Sequence, residues 1–233
     1  MKQKIKETNS RKEHFKVKEG RFQVAAAASS DIDIKDESGD SVLTCNLPDG
    51  RLAIILSDGM GTGIRAQAES QAVVKELRKL LKRGIQPSRA IKIVNKRLIG
   101  SDELFATVDL TIIDKCTGVA SLYKLGAATS FLLRDKKVKK LEQAALPVGM
   151  IKRVKASQLK IKLHQGDTFV VVSDGITEAD KKDLEAKWLE EYLKEASNTI
   201  GPKVMANEIA DIAQSKYRNR EKDDITVIVI QIK

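Results

Sequence analysis

The chain has 233 residues, 42% of them hydrophobic and 32% charged, with a formal net charge of +10. That content suffices for a full core, and no apolar run reaches the roughly 18 to 20 residues of a membrane-spanning helix, so a helical membrane segment in this stretch is excluded. With only 4% aromatic residues there is little material for base stacking, and the dispersed basic excess reads as a solvated surface that steers an acidic partner, not as a nucleic-acid site.

Residues 1–20 read as a charged lead or linker without an apolar face, ahead of one domain over 21–233. The basic opening lacks the apolar middle of a secretory signal, which places the chain in the cytoplasm, alone or as the cytoplasmic domain of a larger membrane-anchored protein. An apolar run over 22–28 predicts a first strand, and the acidic, polar stretch 31–40 a loop. Strands over 42–47 and 52–56 flank Pro48-Asp49-Gly50, a tight-turn sequence, and the resulting hairpin aims Asp58 from the end of its second strand.

Beyond Gly59, Gly61 and Gly63, the residues Val73, Leu77 and Leu81 recur at helical spacing up to Gly84. Pro87 opens a second helix with Ile91, Val94 and Leu98 on one side. The period then changes: strands over 107–113, 119–125, 131–134, 138–141, 158–163 and 168–172 follow as hairpin pairs. Two helices over 184–196 and 203–217 precede a last strand over 225–232. Hairpins interrupted by helix pairs predict an α+β sandwich of antiparallel sheets covered by helices. Cys45 and Cys116 stand apart from each other and from any His, and His14 and His164 are isolated, so no zinc or redox pair is read.

Acids at strand ends carry the chemistry. Asp58 follows Ala53-Ile54-Ile55-Leu56-Ser57, Asp174 follows Phe169-Val170-Val171-Val172-Ser173, and Asp223 and Asp224 stand just before Ile225. Two of these sites share the tripeptide Ser-Asp-Gly. Carboxylates converging on one point raise one another's pKa unless cations neutralise them. Oxygen donors without His or Cys select hard cations such as Mg²⁺ or Mn²⁺ over zinc. The glycines do not fit G-x-G-x-x-G and no Gly-Lys-Ser/Thr follows, so a nucleotide cradle is not supported. Spacing alone leaves convergence of the acids open, against the plainer reading of each as a turn.

The ordered set Ser38-Gly39-Asp40-Ser41, Ser57-Asp58-Gly59-Met60-Gly61-Thr62-Gly63, Leu146-Pro147-Val148-Gly149, Ser173-Asp174-Gly175-Ile176-Thr177-Glu178 and Asp223-Asp224-Ile225-Thr226-Val227 resembles the metal-dependent protein phosphatase family, 2C type, over 22–232. Asp109-Leu110-Thr111-Ile112-Ile113-Asp114 and Lys124-Leu125-Gly126 are most similar to its stage II sporulation protein E branch. The stress-response branch usually has Asn-Ala-Gly-His at the latter place, and Leu125-Gly126-Ala127 lacks that His.

The resemblance implies an αββα sandwich, two central antiparallel β-sheets flanked by helices, with a centre of two Mn²⁺ or Mg²⁺ ions at one edge. By motif match Asp58 would bridge the ions, the Gly59 carbonyl would ligate one, and Asp174 and Asp223 would complete the shell, making Asp58, Asp174 and Asp223 the catalytic set. Asp40 would act at the edge through water, and Asp224 would be the second acid of its pair. The activity implied is hydrolysis of phosphoserine by a metal-activated water, on an anti-anti-sigma-type protein of sporulation or stress signalling. An upstream regulatory domain would act through the helix after Gly63, and the alternative is a catalytically weak scaffold that binds regulatory partners. No residue matches the phosphate-binding Arg and acidic His that many eukaryotic members carry near the N-terminus.

Overall fold

The computed structural model describes residues 16–19, 22–29, 38–61, 63–99, 105–183, 185–196, 200–217 and 223–233. The sequence expectations for the lead over 1–15, the loop over 31–37, Thr62 and the stretch 101–104 lie outside the described residues. In chain order the elements are β1 (Lys16–Glu19), β2 (Phe22–Ser29), β3 (Asp40–Asn46), β4 (Leu52–Asp58), α1 (Gly63–Lys82) and α2 (Pro87–Leu98). There follow β5 (Val108–Ile113), β6 (Val119–Leu125), β7 (Ser130–Arg134), β8 (Lys137–Leu141), β9 (Leu159–Lys162) and β10 (Thr168–Val172). The chain closes with α3 (Asp174–Thr177), α4 (Lys187–Glu195), α5 (Pro202–Tyr217) and β11 (Ile225–Ile232).

Two antiparallel sheets result, a six-stranded one ordered β1-β2-β11-β10-β7-β8 and a five-stranded one ordered β3-β4-β5-β6-β9. Both faces of β4, β5, β10 and β11 are buried apart from the end of β4 at Asp58, and successive side chains serve different layers. Along β4, Ala53 and Ile55 pack with Val73, Leu77 and Ile91 of α1 and α2, while Leu52, Ile54 and Leu56 pack against the other sheet. Along β11, Val227 and Val229 meet Ile209 and Ala213 of α5, while Ile228 and Ile230 meet the residues from β4. This is the expected helix–sheet–sheet–helix sandwich. A one-residue slip in either strand would exchange its two faces between layers, so the packing fixes the register.

Local chemistry sets the punctuation. Gly50 adopts φ 81 in the β3–β4 hairpin, where its amide donates to the Leu47 carbonyl at 2.9 Å. Helix α1 ends where Gly84, at φ 76, turns the chain and Ile85 N–H donates to Leu80 O at 3.1 Å. Pro87 then starts α2, where a missing amide hydrogen costs nothing.

The structure departs from the sequence reading in three places. Lys16–Glu19, read as part of a charged lead, pairs antiparallel with β2 from Lys16↔Ala25 to Glu19↔Phe22. Its Lys-Val-Lys-Glu sequence has no apolar face to signal a strand, and a short charged strand is a usual way to end a sheet without inviting further pairing. Asp40, read as the end of a loop, is the first residue of β3. Asp174–Thr177 forms a single helical turn too short to leave a periodic signal.

A buried polar cluster crosses the inter-sheet layer. Asp109 and Lys124 are cross-strand partners on β5 and β6, both almost wholly buried, and Lys124 Nζ bonds Asp109 Oδ2 and donates to Ser130 Oγ of the opposite sheet at 2.8 Å. Breaking a buried ion pair leaves a charge that the interior cannot solvate. Lys124→Met is therefore expected to cost about 3–5 kcal/mol of unfolding free energy in urea titration, and adding Asp109→Leu to recover most of that loss. A double variant no more stable than the single one contradicts this reading of the pair.

Candidate functional site

The two Ser-Asp-Gly tripeptides occupy matching positions, one per sheet, and each residue type has a distinct task. The serines are buried and fasten strand ends to their neighbours. Ser57 Oγ donates to the Thr107 carbonyl at 2.6 Å, and Ser173 Oγ accepts from the Thr226 amide at 2.9 Å. The glycines allow another backbone to approach: a Cβ on Gly59 would lie 1.9 Å from the Ala66 carbonyl oxygen of α1, and one on Gly175 would lie 2.2 Å from that of Asp224. Only glycine fits either place. Between serine and glycine, each aspartate leaves the sheet edge at a held backbone position; the Asp58 amide donates to Thr107 Oγ1 at 2.9 Å.

These strand ends meet. Asp58, Gly59, Asp174 and Asp223 line one open pocket of about 630 Å³, whose far wall includes Gly126 and Pro147. Gly126 sits at φ 65 with Pro147 where a Cβ would be, 2.5 Å from the nearest ring carbon, so the Leu-Pro-Val-Gly segment closes directly on it. A second cavity of about 10 Å³, near the size that admits one water, is lined by Asp58, Asp109 and Asp174, so Asp109 borders two of the pocket's acids.

Asp40 and Asp224 stand behind this pocket and do not line it. Asp40 opposes Asp58 in the β3–β4 register, and both its buried carboxylate oxygens lack a hydrogen-bond partner among the described residues. Asp224 Oδ2 accepts from the Gly39 amide at 2.6 Å, which ties the start of β3 to the start of β11. The adjacent acids of the Asp223-Asp224 pair thus divide: the first faces the pocket and the second braces its back.

Charge is the dominant property. Burial, reinforced by Asp174, Asp223 and Asp224, pushes the Asp58 carboxyl up to about 8. Burial with Asp223 and Glu178 pushes Asp174 up to about 6. Asp40 is raised well above the usual carboxylate range by burial and by Asp58, although the nearby Thr226 and Ser173 hydroxyls oppose the shift, and Asp224 is raised chiefly by burial.

Such a donor set fits hard divalent cations: oxygen ligands, negative charge in excess, and orphaned carboxylate oxygens at Asp40. Among the described residues no three His, Cys, Asp or Glu side chains form a closed cage for one ion. A cation that keeps most of its water needs only one or two carboxylates, and walls bearing Asp58 on one side and Asp174 and Asp223 on the other offer that.

Comparison with known proteins agrees. A family model for stage II sporulation protein E (SpoIIE) matches residues 48–233. The chain belongs to the SpoIIE family. It is 33% identical over 198 residues to stage II sporulation protein E of Bacillus subtilis (strain 168), covering 84% of this chain. The chain spans about a quarter to a third of the length of the curated relatives it matches. A solved structure of the PP2C phosphatase domain and a fragment of the regulatory domain of SpoIIE from Bacillus subtilis superposes with a TM-score of 0.81 at 33% identity, covering 91% of this chain and 64% of that one. The fold is shared more widely, as with RsbX in complex with magnesium, at TM-score 0.70 and 18% identity, covering 94% of this chain and 99% of that one. This SpoIIE-family chain is thus homologous to PP2C serine/threonine phosphatases, which are hydrolases.

Lys181 on the pocket wall was not read from the sequence, and Asp109 and Lys124 were read as motif residues without the pairing between them, as was Thr107 without its hold on the Asp58 amide. A lysine inside the otherwise apolar strand Val119–Leu125 was the available signal for that pairing.

Raised pKa values in the folded state have a defined consequence. Between the ordinary carboxylate value of 3.8 and about 8, folded Asp58 holds a proton that the unfolded chain releases, so raising the pH through that window costs stability. In metal-free buffer, Asp58→Asn is expected to melt at the wild-type temperature near about pH 4 and about 5 °C higher near about pH 8 by scanning calorimetry. A difference that does not change with pH contradicts the electrostatic coupling.

Proposed function

We propose that this chain is a divalent-cation-dependent protein phosphatase domain that hydrolyses phosphoserine on a bacterial regulatory protein. The observation that carries the reading is the meeting of Asp58, Asp174 and Asp223 on one open pocket with no lysine or arginine paired to them among the described residues, in a chain homologous to PP2C phosphatases. Asp58, Asp174 and Asp223 are the catalytic carboxylates, and with the Gly59 carbonyl they would hold two Mn²⁺ or Mg²⁺ ions. Asp40 acts from behind Asp58 through water, and Asp224 completes the acidic set at its edge while bracing Gly39. When bound, the cations supply the Lewis acidity that lowers the pKa of an attacking water and offsets charge on the phosphoryl oxygens.

The chain's own residues supply position. Ser57 and Ser173 fix the strand ends, Thr107 holds the Asp58 amide, and the open pocket admits a phosphoserine displayed on a protein surface. No serine or cysteine nucleophile is required, because water attacks phosphorus directly. Membership of the SpoIIE family favours an anti-anti-sigma-type phosphoprotein as the substrate, and the basic surface suits an acidic partner. The catalytic unit comprises 21–233 together with the edge strand Lys16–Glu19, and works in the cytoplasm. Among the described residues no helix is long and apolar enough to cross a membrane. An upstream domain would regulate it through α1, whose Ala66 carbonyl abuts Gly59.

Purified protein with Mn²⁺ is expected to release phosphate from a phosphoserine-bearing anti-anti-sigma protein and to stop on chelation. Asp58→Ala or Asp174→Ala should each lower kcat/KM by about 10³-fold or more. Turnover that survives the chelator, or survives both substitutions, contradicts the assignment.

A further inference from the structure

Lys181 is the one cationic residue that lines the acidic pocket among the described residues. It stands in the turn after α3, and that turn is held without its help. Asp180 Oδ1 accepts from the Lys182 amide at 3.0 Å, and Asp180 Oδ2 lies 3.4 Å from Lys216 Nζ. The Asp183 amide donates to the Asp180 carbonyl at 2.9 Å, and Asp183 Oδ2 accepts from the Trp188 amide at 2.8 Å. Lys216 is itself seated over the Trp188 ring, 5.4 Å from its centroid. Both aspartates of the turn are therefore engaged by groups other than Lys181.

The ammonium of Lys181 forms no ion pair among the described residues, although three aspartates share its pocket. An exposed lysine on a flexible stem that leaves neighbouring carboxylates unpaired is free to meet an incoming anion. A phosphoserine dianion entering this pocket passes acidic walls and, among the described residues, one positive side chain. Lysine suits that task because its ammonium acts as a point charge with three donors and needs no planar alignment with the phosphoryl oxygens.

Resting on the phosphatase reading above, we propose that Lys181 is a substrate-binding residue whose ammonium contacts the phosphoryl oxygens of phosphoserine in the pocket. The contact is made to the group common to all phosphomonoesters, so its loss weakens binding of every such substrate and of the phosphate product. It bears on the substrate and not on the cations, so the metal requirement stays as it is.

The test compares wild type, Lys181→Ala and Lys181→Arg with Mn²⁺, on a phosphoserine peptide and on p-nitrophenyl phosphate, which share only the phosphoryl group. Inorganic phosphate serves as inhibitor and, by equilibrium dialysis against the Mn²⁺-loaded protein, as a probe of binding without turnover. Lys181→Ala is expected to raise KM for both substrates and to weaken phosphate binding about tenfold, with kcat and the Mn²⁺ half-saturation little changed and Lys181→Arg recovering most of the loss. Unchanged phosphate binding overturns the proposal. So does a loss confined to the peptide, which would assign Lys181 to acidic residues around the phosphoserine, or tighter Mn²⁺ binding with phosphate unaffected, which would assign it to the carboxylates. If wild type cleaves neither substrate, the phosphatase reading fails, and the dialysis result still decides the role of Lys181.

Discussion

Repulsion between carboxylates at one end of the sandwich is the constraint around which the other features are arranged. The β3–β4 register sets Asp40 directly across from Asp58, and like charges opposed on neighbouring strands destabilise a sheet. The opposite sheet adds Asp174 and Asp223 to the same region. A fold selected for stability alone would not place these groups together, and burial makes the conflict worse by raising Asp58 and Asp40 far above the usual carboxylate range. The opposing forces are visible in the structure. An inter-sheet layer rich in Ile, Leu, Val and Phe holds the two sheets face to face, and serine hydroxyls fasten the strand ends that carry the acids.

Contact between backbones extends that constraint to the helices. Because Gly59 lies against Ala66, α1 cannot approach β4 further, and a displacement of α1 is transmitted to the residue after Asp58. Gly175 and Asp224 form the corresponding contact in the other sheet, and Tyr217 Oη of α5 donates to the Gly175 carbonyl at 2.8 Å. The backbone beside Asp58 and that beside Asp174 are therefore each indexed to a helix on the outer face of its own sheet. The pocket records the relative position of two helix layers as well as two sheets.

How much of this was legible in the sequence depended on the range of the interaction involved. Alternation and turn residues are local signals, so the hairpin around Pro48-Asp49-Gly50 and the strand ends at Asp58 and Asp174 could be read directly. Lys16–Glu19 was missed because a charged edge strand has no apolar face, and Asp174–Thr177 because one helical turn has no period. Long-range pairings left no local trace. Asp224 meets Gly39 across 185 positions, a contact no local pattern announces, and it was the motif match, not spacing, that singled out Asp223 as the acid of the pair for the pocket. Lys124 was visible as a lysine in a buried strand, but its partner Asp109 sits on a different strand and became identifiable only in the folded chain. Lys181 lies in a lysine-rich turn where composition alone cannot distinguish it from Lys182.

Titration calorimetry of Mn²⁺ into metal-free protein decides whether the carboxylate cluster is a cation site. Wild type should bind Mn²⁺ with proton release that grows as the pH falls from about 8 to about 6, because bound cations displace protons from raised carboxyls. Asp58→Asn and Asp174→Asn should each lose that heat while retaining the wild-type fold by circular dichroism. Binding of equal strength in wild type and both variants, or no binding by wild type, would contradict the assignment of this pocket as a metal centre.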